Sequence, residues 1–345
     1  MSADPVLPVP PTSPVPPRIV PLEREAAFWA DGETVAQCLR EPIPRVPPWF
    51  GYDERGSQLF ESITELPTYY LTRAERALFE RHAAQMGELL DGQLVELGSG
   101  SAKKTRLLLR ECIARRPTTY LPVDVSREML VSSAATLRAA LPDLSVIGLW
   151  GRYEAGLDWL RDARDRRDDP LTVAFLGSNL GNTTPDERTE LLDRIAATLR
   201  PGDGFLVSVD LLKPAEIFET CYNDPPGHTA FAEFRLNHLR HLNRRFDADF
   251  DLGGFVPRAH YEPRQTVVEG HLYSTGEHAV SLPGLDMRLE FHPGDSVNVG
   301  FSAKFEAEHF TADIAARGFT QRARWIDPRA AYGIFLFRRV AGPNP

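Results

Sequence analysis

Residues 95–104 read Val-Glu-Leu-Gly-Ser-Gly-Ser-Ala-Lys-Lys. An apolar strand runs into a glycine turn, Gly98-Ser99-Gly100, and then straight into a helix. These types at this spacing suit a nucleotide-like ligand. Glycine takes positive φ and carries no side chain, so bare backbone can approach such a ligand closely. Glu96 before the first glycine, and the missing third glycine, favour S-adenosylmethionine over a dinucleotide. That ligand offers a carboxylate, a ribose diol, an adenine and a sulfonium. The helix N-terminus behind the turn suits the carboxylate, and Lys104 adds a charge-assisted contact to it. Asp124 closes the next apolar run, about where such folds place an acid that accepts from both ribose hydroxyls.

Those residues need a scaffold to hold them. From Gln93 onward the pattern predicts strands at 94–97, 119–123, 145–150, 171–176 and 205–209. Helices are expected over 103–115 and 127–140, and from near Pro185, where Asp186 and Glu187 suit the dipole of a first turn. Strands alternating with helices predict an α/β chain with a Rossmann-like, mostly parallel, doubly wound sheet. Ligands of such sheets sit beyond the carboxyl ends of the strands. Residues 211–295 then break the pattern, with an aromatic and basic helical stretch at 231–246 and strands at 265–273 and 287–291. A strand at 299–305, a helix over 306–317 and a strand at 332–338 are expected to return to the sheet. The expected division is a disordered proline-rich tail (1–21), the N-terminal part of an α+β substrate-binding lobe (22–90), a cofactor-binding core (91–210), the lobe's insertion (211–300) and a C-terminal return to the core (301–345). The second lobe is expected to cover the cofactor edge.

Composition narrows the function classes. The chain has 345 residues, is 42% hydrophobic and 25% charged, and carries a formal net charge of −9. That balance argues against a nucleic-acid partner, and the run Arg235, Arg240, Arg244 and Arg245 reads as a solvated helix face. No apolar run approaches the roughly 20 residues of a membrane helix, and the N-terminus lacks the pattern of a secretory signal. Cys38, Cys112 and Cys221 are odd in number and widely spaced, which argues against a disulfide framework. The expectation is a cytoplasmic monomer. His238 and His241 share a helix face, and His260 and His271 follow, but no cysteine accompanies them and no metal site is expected. There is no Gly-x-Ser-x-Gly elbow and no phosphate loop.

Longer motifs sharpen the reading. In order they are Tyr52-Asp53 with Gly56-Ser57 and Leu59-Phe60; Leu66-Pro67-Thr68-Tyr69-Tyr70 with Thr72-Arg73-Ala74-Glu75; Glu96-Leu97-Gly98-Ser99-Gly100 with Lys104-Thr105-Arg106; Pro122-Val123-Asp124-Val125-Ser126; and Phe175-Leu176-Gly177-Ser178-Asn179-Leu180-Gly181-Asn182. Across roughly residues 40–340 the chain resembles the histidine Nα-methyltransferases of ergothioneine biosynthesis. The resemblance implies a Rossmann-like methyltransferase core that uses S-adenosylmethionine, and a family-specific lobe that holds a free amino acid. It implies that Asn182 and Tyr222 bind the substrate carboxylate, that Tyr52 and Tyr69 lie near the amine, and that Gly177 makes a backbone contact there. A neutral amide and phenols fix a zwitterion while adding no charge of their own.

Three departures from the family pattern stand out. The family has a glutamate two residues before the matched serine, which grips the imidazole of histidine. Here Ser302 is present but Gly300 takes the glutamate's place. Loss of such a charged partner would cost histidine roughly 1.5–3 kcal/mol. A methionine of the family's side-chain pocket aligns with Gly270. Two glycines in place of large side chains predict a wider, less polar pocket, and hence a tryptophan-like aromatic substrate larger than histidine. The alternative is histidine itself, giving the trimethylated betaine hercynine. Other classes are an NAD-dependent oxidoreductase and a non-catalytic cofactor-binding protein. Finally, the acidic-aromatic pair near the adenine is replaced by Arg152-Tyr153, where Tyr153 can still stack on the base.

For an amino-acid N-methyltransferase the amine must lose a proton before an in-line displacement. Two positive charges about 4 Å apart repel by roughly 4 kcal/mol at an effective dielectric near 20. That is worth about three pKa units, so a strong base is unnecessary. Tyr52, or a water beside it, is the expected proton relay.

Overall fold

The computed structural model describes residues 18–23, 29–164 and 169–341. In chain order the first elements are β1 (Arg18–Pro21), α1 (Gly32–Leu39), α2 (Glu54–Thr64), α3 (Tyr70–Leu89), β2 (Gln93–Leu97), α4 (Thr105–Ile113), β3 (Thr119–Asp124) and α5 (Arg127–Ala140). Then come β4 (Ser145–Trp150), α6 (Tyr153–Arg164), β5 (Leu171–Phe175), α7 (Pro185–Thr198), β6 (Gly204–Asp210), α8 (Ala215–Cys221) and α9 (Ala230–Phe246). The last are β7 (Phe255–Glu262), β8 (Val267–Ser274), β9 (His278–Leu282), β10 (Met287–Phe291), β11 (Ser296–Ala303), α10 (Ala307–Ala316), β12 (Phe319–Asp327) and β13 (Tyr332–Arg339).

The chain divides into two compact units. The first takes Leu71–Leu211, the chain from Phe305 onward and the N-terminal strand. Its eight-stranded sheet has the order β1-β4-β3-β2-β5-β6-β13-β12. The strands from β1 to β6 pair in parallel, while β13 and β12 are antiparallel. This is the Rossmann-like sheet that the alternation predicts. Strands β2, β5 and β6 are buried at every position, as expected where helices cover both faces of a parallel sheet. Strand order reverses between β2 and β5, and the carboxyl ends on either side of that switch carry Gly98 and Gly177. Helix starts follow local chemistry. Thr184 and Glu187 form a capping box at α7 with Pro185 in its first turn, and Ser126 caps α5.

The second unit takes the described residues of Ala26–Tyr70 and Leu212–Lys304. It combines α1, α2, α8 and α9 with a three-stranded antiparallel sheet, β11-β8-β7, and the β9-β10 hairpin. Asp53 caps α2 through Gly56 N at 2.8 Å. The same carboxylate accepts from Asn237 Nδ2 at 2.8 Å and Arg244 Nη2 at 2.7 Å, which ties α2 to α9.

The structure departs from the sequence expectations at several points, among them residues 71–90, expected in the substrate-binding lobe but part of the first unit. The tail expected over 1–21 lies outside the described residues up to 17, and at its far end Arg18–Pro21 is a strand paired with β4. The strand expected to return to the main sheet at 299–305 is instead β11 of the small sheet, and only Phe305 bridges to Leu211. The main sheet also gains β12, whose alternating Thr320, Arg322 and Arg324 read as polar because it is an edge strand. Among the described residues the three cysteines are buried free thiols, and no helix is long and apolar enough to cross a membrane.

Candidate active site

In the first unit the turn after β2 is held in place by its neighbours. Gly98 N donates to Val123 O at 2.8 Å, and Gly100 N donates to Asp124 Oδ2 at 2.8 Å. Gly98 and Gly100 have φ of +70° and +50°. A Cβ at Gly98 would lie 2.8 Å from both Asn179 Nδ2 and the Tyr153 hydroxyl, so nothing larger than glycine fits there. The Asp124 carboxylate is also held by the N–H groups of Val125 and Ser126. Burial raises its pKa and these backbone donors oppose the rise. Tyr153 packs edge-on against Phe175, with ring centroids 5.1 Å apart. Ser99 is buried within the same turn.

The loop after β5 closes onto the same turn. Gly177 has φ +78° and Ser178 φ +57°. A left-handed serine is uncommon and needs support. Here Ser178 N donates to Ser208 Oγ at 3.3 Å, and Ser178 Oγ accepts from Asp210 N at 3.1 Å. Gly177 N donates to Glu75 Oε1 at 2.7 Å, and a Cβ on Gly177 would stand 2.8 Å from Lys104 Nζ. Asn182 ends the short helical turn Asn179–Asn182 that follows. The structure therefore brings Gly98, Gly100, Asp124, Tyr153, Lys104 and Gly177 into one constellation at the carboxyl ends of β2, β3 and β5. Lys104 has a partner that the motif did not announce: its ammonium lies 2.5 Å from Glu75 Oε2.

Glu96 faces into the sheet. It is buried, accepts from Thr105 Oγ1 at 2.8 Å, and shares a short hydrogen bond with the Tyr120 hydroxyl. Burial raises its pKa to about 7, against the lowering effects of the Lys104 charge and of these two hydrogen bonds. Its work is to join β2, β3 and the start of α4.

The expected residues of the second unit form a continuous cluster of their own. The Tyr52 ring packs edge-on against Phe60 and Phe234, at 5.4 and 5.2 Å. Tyr69 lies beside Phe60, Phe231 and Tyr222, the last at 6.1 Å. The hydroxyls of Tyr222 and Ser302 are 2.6 Å apart. Lys304, which the sequence reading passed over, donates to Tyr222 at 2.8 Å and to Ser302 at 2.9 Å. Its two-residue spacing from Ser302 along an extended chain was the available signal. Asn182 and Gly177, expected to join these residues at the amino acid, belong to the first unit.

Gly270 and Gly300 are register partners across β8 and β11, beside a bulge between Asn298 and Gly300. The two positions differ. A Cβ at Gly300 meets nothing within 4 Å, whereas one at Gly270 meets Arg235 Nε at 3.0 Å. Arg235 is 6% exposed and donates to Tyr222 O at 2.5 Å. Burial lowers its pKa to about 10, which leaves it charged at neutral pH, and Asp224 counters the fall.

Four of the nine histidines form two groups. His238 and His241 are buried on α9 and bond to backbone carbonyls, His238 to Phe234 and Arg235 and His241 to Phe50. Burial pushes His238 down to about 4, so it is neutral. His260 and His271, in contrast, converge on Glu269. In the sequence only the Glu269-x-His271 spacing on one strand marks this group, and His260 joins it through the β7–β8 register.

A family described as "Histidine-specific methyltransferase, SAM-dependent" matches residues 31–339. The chain belongs to this family. It is 33% identical over 318 residues to the histidine N-alpha-methyltransferase of Mycobacterium tuberculosis, covering 91% of this chain and 97% of the relative. It is 36% identical over 323 residues to the enzyme of that name from Mycolicibacterium smegmatis, covering 90% and 98%. Identity falls to 25% over 320 residues for the 4-dimethylallyltryptophan N-methyltransferase easF of Epichloe festucae var. lolii, covering 86% and 91%. The family member described here is a SAM-dependent N-methyltransferase, which removes the oxidoreductase and non-catalytic readings.

The residues present fit SAM. The turn is open at Gly100, where a Cβ would meet nothing within 4 Å, and a carboxylate has more acceptor capacity than the backbone bonds on Asp124 consume. The expectation of a tryptophan-like substrate is corrected. The relatives named for histidine are more similar to this chain than the one named for an indole. Its physical premise also fails at one of the two glycines: Gly300 faces open space, but the space beside Gly270 is filled by the buried Arg235 cation and is not apolar.

Proposed function

We propose that this family member transfers methyl groups from SAM to the α-amino group of L-histidine. The observation that carries the reading is the 33–36% identity to histidine N-alpha-methyltransferases over nine-tenths of the chain. Bound SAM supplies an electrophilic methyl group on sulfur.

The chain's own residues divide the remaining tasks. Asp124 accepts from the ribose diol, Tyr153 faces the adenine, and the Gly98–Gly100 turn with Ser99 receives the methionyl end. Lys104 serves that end as half of an ion pair, its charge shared with Glu75. Gly177 has committed its N–H to Glu75, so the group it offers an amine is its carbonyl. Asn182 offers an amide to the carboxylate. In the second unit Lys304 donates to two hydroxyls that also bond to each other. Within this trio one O–H is left to donate outward, beside a positive charge; with Ser302 donating to Tyr222, that is the Tyr222 hydroxyl, which suits the substrate carboxylate. Tyr69 walls the cluster. Tyr52 takes the amine proton, directly or through water.

The test is incubation of the purified chain with SAM and each proteinogenic amino acid, read by mass spectrometry with fragmentation. Histidine methylated on its α-nitrogen is expected. Unmodified histidine beside another methylated amino acid would overturn the reading.

A further inference from the structure

We propose that His260, Glu269 and His271 form a binding site for a divalent transition metal of the zinc class. The three side chains lie on one face of the small sheet. His260 on β7 is the register partner of Glu269 on β8, and His271 follows Glu269 by two residues. Side chains alternate along a strand, so this face is opposite the one that carries Gly270.

The geometry is that of a coordination shell. His260 Nε2 lies 3.5 Å from Glu269 Oε2, and His271 Nε2 lies 3.3 Å from the same oxygen. One ligand atom from each of the three residues lies within 4.8 Å of the other two. A tetrahedral zinc ion with bonds of about 2.0–2.2 Å separates its ligand atoms by roughly 3.3–3.5 Å. Two imidazoles and a carboxylate, with further positions left for water, select zinc or a neighbouring transition metal over magnesium or calcium.

The other ring nitrogens are already occupied. His271 Nδ1 meets Ser296 Oγ at 3.0 Å, and His260 Nδ1 meets the Tyr273 hydroxyl at 3.3 Å. Outer partners of this kind orient metal-ligating histidines, and a hydroxyl can accept from Nδ1–H once Nε2 gives up its proton to bind an ion. The rings stack with centroids 5.2 Å apart, so both Nε2 atoms reach the carboxylate from the same side. An alternative partner for His271 is weak, since Asn298 Nδ2 stands 3.5 Å from Nε2. Side-chain exposures of 38% for His260, 20% for Glu269 and 4% for His271 give a site rooted in the sheet and open to solvent on one side. A bound ion would join β7 to β8 on the face of β8 opposite Gly270.

The test uses the full chain, stripped with a chelator and titrated with zinc chloride by calorimetry and with cobalt chloride by visible absorption. One equivalent of zinc with a micromolar or tighter Kd is expected, with a rise in Tm on saturation. Cobalt is expected to give the intense d–d bands of a four- or five-coordinate ion. His260→Ala and Glu269→Gln should each weaken zinc at least tenfold, while His292→Ala, at an exposed His–Glu pair elsewhere, should change nothing. Failure to saturate below about 100 µM zinc, a weak six-coordinate cobalt spectrum, or equal binding by His260→Ala would each overturn the proposal. The cobalt spectrum is read on the unaltered chain, so the outcome does not depend on a variant folding.

Discussion

The ammonium of Lys104 lies 2.5 Å from Oε2 of Glu75, a carboxylate 1% exposed whose other oxygen accepts from Gly177 N and Ser208 Oγ. One buried acid thus sets the lysine beside the glycine turn, the left-handed glycine after β5 and a hydroxyl of β6. Burying a carboxylate is tolerable only while such partners remain.

Replacing that acid should therefore be costly. Glu75→Gln leaves Lys104 without its counter-charge; the lysine is 23% exposed, so water offsets part of the loss and the cost is about 1–3 kcal/mol. The expected result is a lower urea midpoint together with weaker SAM binding by calorimetry. Glu75→Gln combined with Lys104→Met should recover much of the stability but not the SAM affinity, because the two changes share one interaction. An unchanged midpoint in the single variant would remove Glu75 from this role.

Glu96 gives the first unit a pH signature. Burial raises its folded pKa to about 7 from an ordinary 4.5, so the folded state holds the proton that the unfolded chain releases. Its contribution to stability is complete below about pH 4.5 and is lost as pH rises to about 7. Glu96→Gln carries no such proton. Urea midpoints measured across that window should shift steadily in favour of the variant as pH rises. A constant difference between the two proteins would mean that Glu96 stays ionised in the fold.

What could be read before the structure depended on how local the signal was. The sheet and its glycine turn were legible because strand, turn and helix are neighbours in sequence, and Asp124 lies only one crossover away. Glu75 stood in a recognisable motif, but its task was hidden: Lys104, Gly177 and Ser208 reach it from sequence separations of 29 to 133 residues. Gly270 misled for a related reason. A glycine declares that its own side chain is missing, not that Arg235, 35 residues earlier on α9, fills the space. β12 escaped because an edge strand has a polar face, and its Thr-Gln-Arg-Ala-Arg run carries little apolar pattern. His260 and Glu269 became neighbours only once the β7–β8 register was known.

Tyr52 can be tested with little disturbance of the fold. Its ring is held edge-on by Phe60 and Phe234, contacts that phenylalanine keeps. Tyr52→Phe should lower kcat at least tenfold, and by up to the roughly 10²–10⁴-fold attributed to a positioned proton-transfer group, while SAM affinity stays within about twofold. Equal losses of turnover and SAM affinity would make Tyr52 a packing residue.

Gly300 offers a gain-of-affinity test. A side chain there has open space, whereas one at Gly270 would press on Arg235. Gly300, Ser302 and Lys304 recur at two-residue spacing, so a glutamate at 300 would join the Tyr222–Ser302–Lys304 group. Lys304 would balance part of its charge, and the remaining acceptor capacity could meet an imidazole N–H. A hydrogen bond to a charged group is worth about 1.5–3 kcal/mol. Gly300→Glu should therefore lower the KM for histidine about tenfold or more, with kcat little changed, because the ring is bound alike in the ground and transition states. A KM that stays put or rises while kcat falls would show that the ring of the substrate is read somewhere other than this face of β11.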